Sequence, residues 1–152
     1  MDVQLLWHKS IILKSASATK NAIFTADLAE ITDRSGVYLF FRSHGDNSEA
    51  LYVGKANNLR VRIKQQLNNV NLMKGLENSA SGSKRLVIGE FIGKKGLKPE
   101  SILPKIEFTL IRHFVAMGHA LLNKHGTVIE RDSLTSDRTE LKELIPRVIY
   151  FE

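Results

Sequence analysis

A chain of 152 residues that is 43% apolar and 25% charged has the composition of one folded domain with its own core. The absence of cysteine excludes disulfide frameworks, thiolate zinc sites and cysteine nucleophiles, and favours a reducing, cytoplasmic setting. Its net charge of +6 is concentrated before Thr127, because four bases face six acids from there onward. That imbalance is compatible with a polyanionic partner such as nucleic acid, or with a plainly solvated basic surface.

Residues 1–35 read as a lead-in: an apolar-mixed stretch from Val3 to Leu13, the small-residue linker SASATKNA, and a short helix at Ala26 to Ile31 capped by Thr25. The opening MDVQLLWHKS lacks the pattern of a signal peptide, and no apolar run approaches the roughly 20 residues needed to span a bilayer. No membrane association is expected. Asp33 to Gly36 form a turn, and the runs Val37 to Arg42 and Ala50 to Val53 are strands joined by SHGDNSE as a hairpin.

After Gly54 the periodicity changes. Ala56, Leu59, Ile63, Leu67 and Val70 recur at steps of three and four, which predicts one helix capped by Asn57 or Asn58. The stretch LENSASGSK is a loop, RLVIGEFI a third strand, and GKKGLKPE a flexible basic loop. Ile106, Leu110, Ile111, Phe114 and Val115 predict a second helix ending near Gly118. The acidic extension 127–152 is expected to add a helix at Asp137 to Leu144 and a strand at RVIYFE. The fold class expected is α/β (α+β), a small central antiparallel sheet of about three strands flanked by helices.

Several residues could carry chemistry. Tyr38 and Tyr52 sit on the two hairpin strands, where tyrosines also pack for purely structural reasons. Gly54, directly after the second strand, permits close approach of a ligand. Lys55, Arg60, Arg62, Lys64 and Lys74 form a run without an acid. Arg60 and Arg62 point about 200° apart on a helix; Arg62 borders the apolar stripe and can offer a fixed fork of donors to a phosphate, whereas Arg60 lies nearer the outer face. Glu107 falls within the apolar stripe of the later helix, where a carboxylate must be paired, protonated or metal-bound. A salt bridge to an arginine and a hard-cation site both satisfy that requirement. Asn123, in LLNK, is a turn residue on its own merits. The histidines His113, His119 and His125 are six apart and match no zinc pattern, and nucleotide-loop, GxSxG and HExxH motifs are absent.

Taken together, GVYLF, ALYVGKANNLRVRI, IEFTLI and LLNK resemble the GIY-YIG nuclease superfamily, which includes the incision domain of the UvrC repair nuclease and certain homing and restriction endonucleases. The resemblance covers residues 36–124, with valine in place of isoleucine in both tripeptides and a longer interval between Glu107 and Asn123. It implies a metal-dependent endonuclease acting on DNA. Tyr38 then matches the general base, Tyr52 its partner, Arg62 the phosphate clamp, and Glu107 the ligand of one Mg²⁺ or Mn²⁺. Gly54, Lys55, Arg60, Lys64 and Asn123 would contact substrate, and Lys55 and Arg62 would depress the Tyr38 pKa toward a working base. A noncatalytic nucleic-acid-binding module with the same fold is the rival expectation, and a homodimer is left open.

Overall fold

The computed structural model describes residues 2–16, 22–123, 132–135 and 148–151, the last two stretches as backbone alone. The fold is mixed α/β, with antiparallel sheets and, among the described residues, three α-helices. Strands β1 (Gln4–Trp7), β2 (Ile11–Ile12), β5 (Gly36–His44), β6 (Asn47–Ala56) and β7 (Ser83–Ile92) form one sheet in the order β1-β7-β5-β6, with β2 also paired to β7. The expected three strands are therefore its contiguous part β7-β5-β6, and the lead-in extends it beyond β7. Strands β3 (Lys14–Ser15) and β4 (Phe24–Thr25) make a small separate pair, as do β8 (Asp132–Thr135) and β9 (Val148–Phe151). Strand β9 fulfils the expectation for RVIYFE; the helix expected at Asp137 to Leu144 lies outside the described residues.

The central strand β5 explains why GVYLF is a continuous apolar run. Alternate side chains point to opposite faces, and helices cover both. Tyr38 and Phe40 join Leu59, Ile63, Leu72, Met73, Leu76, Leu86 and Ile88 on one face. Val37 meets Phe91, Ile102 and Leu103 on the other, and Leu39 meets Val53, Ile111 and Leu121 there. The hairpin loop is tighter than expected: His44 pairs with Asn47, so Gly45, at φ +58°, and Asp46 alone make the turn. A register shift between Phe40 and Phe41 absorbs one extra residue in β6.

The helix expected after Gly54 is two helices, α1 (Leu59–Leu67) and α2 (Val70–Glu77). Asn58 caps the first by accepting from the Val61 N–H at 3.1 Å, and Asn69 caps the second by accepting from the Leu72 N–H at 3.1 Å. A capping asparagine inside a periodic apolar run overrides the periodicity, and Val70 is consequently exposed instead of continuing the stripe. Helix α3 (Pro99–Ala116) begins earlier than expected, with a proline in its first turn where the missing N–H is harmless, and it ends before Gly118 at φ +84°. The lead-in helix is a single 3₁₀ turn, Leu28–Glu30, capped by Asp27 and not Thr25. Leu13, Phe24 and Ile31 are core residues, so residues 1–35 are part of the domain's packing.

Candidate active site

Tyr38 on β5 stands directly opposite Gly54 on β6. A Cβ on Gly54 would land on the Tyr38 ring and hydroxyl, so the glycine lets this side chain lie across the strand toward the β6 edge of the sheet. Strand β6 is that edge. Tyr52, opposite Phe40, stacks on Tyr38 with ring centroids 6.2 Å apart and planes inclined by 19°.

Both hydroxyls meet one buried residue that sequence reasoning missed. The Gln66 Nε2 donates to the Tyr38 hydroxyl at 2.7 Å and to the Tyr52 hydroxyl at 3.3 Å. The available signal was position: Gln66 is three residues after buried Ile63 and four after Arg62, so it shares their side of α1. Arg62 itself is exposed, but its charge acts on the Tyr38 hydroxyl, in the direction that lowers the pKa. Burial outweighs both this charge and the larger lowering effect of the Gln66 hydrogen bond, and raises the Tyr38 pKa well above the ordinary value of 10.0, with Tyr52 and Glu107 adding to the rise. The expected depressed pKa is thus corrected to a raised one, because desolvation of a phenolate costs more than the Gln66 donor and one solvated guanidinium together return.

Lys55, also expected to act on Tyr38, is engaged elsewhere. It pairs in register with Val37 and so faces α3, where its Nζ lies 3.7 Å from the Glu107 Oε1. Glu107 is half-buried at the flank of the α3 stripe, its side chain 25% exposed, and its partner is a lysine, not an arginine. The tyrosines and Arg62 lie on one side of β6 and the Lys55–Glu107 pair on the other.

Three further expected contacts sit apart. Arg60 Nε donates to the Ile31 carbonyl at 2.8 Å, which ties α1 to the lead-in. Lys64 is exposed beside Phe24, Leu28 and Leu67 on another flank of α1. Asn123 lies against β6, where its Oδ1 accepts from the Val53 N–H at 3.2 Å and its Nδ2 donates to the Val53 carbonyl. Its amide continues the ladder beyond the edge strand, and with Leu122 N–H to Leu51 carbonyl at 2.7 Å and Ala50 N–H to His119 Nδ1 at 2.9 Å it closes that edge.

A divalent cation fits Glu107 to the extent that its carboxylate already attracts a positive charge there, from Lys55. Among the described residues no group of three or more His, Asp or Glu gathers into a metal cluster. One carboxylate, with water and substrate phosphate completing the shell, is a known arrangement for Mg²⁺. No described helix is long and apolar enough to cross a membrane. Comparisons with protein-family models, curated proteins and solved structures give no match for this chain.

Proposed function

We propose that this protein is a phosphodiester hydrolase. Its particular form is a GIY-YIG-type, metal-dependent endonuclease acting on DNA, in keeping with the motifs that resemble that superfamily. The observation that carries the reading is the pair Tyr38 and Tyr52, stacked at Gly54 with both hydroxyls bound to Gln66 one helical turn after Arg62, and the Glu107 carboxylate held by Lys55 on the other side of the same strand. In-line hydrolysis needs a base for the attacking water, donors for the nonbridging oxygens and relief of charge on the departing oxygen.

Arg62 holds the phosphate, where its exposed guanidinium can offer two parallel donors. Tyr38 is the general base, acting from its neutral state. As the water oxygen bonds to phosphorus, its proton passes to the Tyr38 oxygen, and the original hydroxyl proton passes to a nonbridging phosphate oxygen. The P–O3′ bond breaks with its electron pair on the 3′ oxygen, which takes up the proton just placed on the phosphate. Lys55, now paired with Glu107, would be free to donate to a phosphate oxygen if that carboxylate took a cation. Mg²⁺ or Mn²⁺ on Glu107 would supply charge neutralisation for the departing oxygen.

Cleavage of plasmid and oligonucleotide substrates with Mg²⁺ tests this. Tyr38→Phe is expected to lower the rate by about 10²- to 10⁴-fold, the usual worth of general acid–base catalysis, and Glu107→Ala to abolish metal-dependent cleavage. Activity that survives both substitutions would sink the assignment. The rival reading, a noncatalytic nucleic-acid-binding module, is favoured by the place of Glu107, already paired with Lys55 on the opposite side of β6 from the tyrosines. It requires salt-sensitive binding with no metal-dependent cleavage.

A further inference from the structure

The orientation of the two tyrosine hydroxyls is set by a chain of hydrogen bonds that begins at a helix cap. Asn69 Oδ1 is committed to the Leu72 N–H at the start of α2, so its Nδ2 faces Gln66 and donates to the Gln66 Oε1 at 3.3 Å. With its oxygen satisfied there, Gln66 turns its amino group to the tyrosines, and that group has two hydrogens, one for each hydroxyl. Each tyrosine oxygen is thereby an acceptor toward Gln66. Among the described residues no acceptor takes the hydrogen of either hydroxyl.

We infer that Asn69 and Gln66 form a positioning relay that turns the O–H bonds of Tyr38 and Tyr52 outward as paired donors to one phosphate oxygen. The inference rests on the hydrolase reading for its ligand and on the hydrogen bonds for its direction. A carboxamide in the opposite orientation would accept from both hydroxyls, drawing their hydrogens inward and leaving lone pairs facing the phosphate. Phosphate oxygens are acceptors only, so that arrangement repels the substrate. Gln66 is buried, and its amide has no solvent to compensate a wrong orientation.

The deciding variant is Asn69→Asp in the full chain. Aspartate caps a helix as well as asparagine does, so α2 keeps its cap. It cannot donate to the Gln66 oxygen, so two acceptors face each other and the Gln66 amide turns over. The 13Cζ resonances of Tyr38 and Tyr52, read on selectively labelled protein, are expected to shift together while the denaturation midpoint stays near that of the parent. Metal-dependent cleavage is expected to lose kcat by on the order of 100-fold with KM little changed, the size of effect that misplaced reacting groups produce. Gln66→Met, which keeps the volume and removes both donors, is expected to move the same two resonances.

Tyrosine resonances that stay at parent positions in both variants overturn the relay, whatever the cleavage result. Resonances that move in a protein whose parent form cuts nothing uphold the relay and overturn the hydrolase reading instead.

Discussion

Gly54 and Tyr38 are one unit at the residue scale. Because a methyl group on Gly54 falls on the Tyr38 ring, Gly54→Ala must push the tyrosine out of its place. We expect a loss of about 1–3 kcal/mol in urea denaturation, typical of overpacking, together with loss of cleavage beyond what that destabilisation explains. Tyr38 also predicts a pH dependence. Its pKa is raised in the folded state, so between the unfolded value near 10.0 and the higher folded value the unfolded chain has released a proton that the native protein retains. Stability contributed by this group is therefore full below pH 10 and falls as pH rises above it. Alkaline denaturation should show that decline, and Tyr38→Phe should remove its share. An unchanged alkaline limb in the variant would mean that burial does not hold the phenol protonated.

The elements carry the site because their ends are capped by side chains. Asn123 is the clearest case, since its amide meets both the N–H and the carbonyl of Val53 on the outer side of β6. Asn123→Ala leaves two backbone groups without their partner, and a cost of about 1–3 kcal/mol is expected, with faster hydrogen exchange at the Val53 amide. Exchange at that amide as slow as in the parent would assign the protection to something other than Asn123. The hairpin, the third strand and the existence of helices before and after it are legible from alternation, turn residues and caps. The split between α1 and α2 is legible only in hindsight. The run Leu59, Ile63, Leu67, Val70 obeys a helical period, and nothing in that period distinguishes Asn69 as a cap from Asn69 as one more exposed helix residue.

Over the whole molecule, the lead-in is the largest departure from expectation. Strand β1 and β2 cover the outer side of β7, and Leu13 enters the core shared with Tyr38 and Ile63. Deleting residues 2–13 would bare the β7 edge, so the truncated chain is expected to have a lower Tm and to self-associate with rising concentration. A truncated form that stays monomeric at parent stability would show the lead-in to be dispensable. The uneven charge belongs to this scale too. Binding to duplex DNA in EDTA should weaken as salt rises, with a log–log slope of about −0.9 for each phosphate neutralised. A flat salt response would remove the basis for a polyanionic partner.

Local interactions let the amino-acid sequence by itself determine a good deal: the apolar strand run in Val37 to Phe41, a cap at Asn57 or Asn58, and a hairpin connection somewhere within SHGDNSE. Each depends on neighbours a few positions away. Tertiary structure alone decided that Lys55 meets Glu107, that Gln66 rather than a charged group touches both tyrosines, and that Tyr38 is buried deeply enough to resist ionisation. Those outcomes depend on sheet order and on burial, which join residues tens of positions apart. The cost of desolvating a charge appears only once the surrounding chain has closed over it.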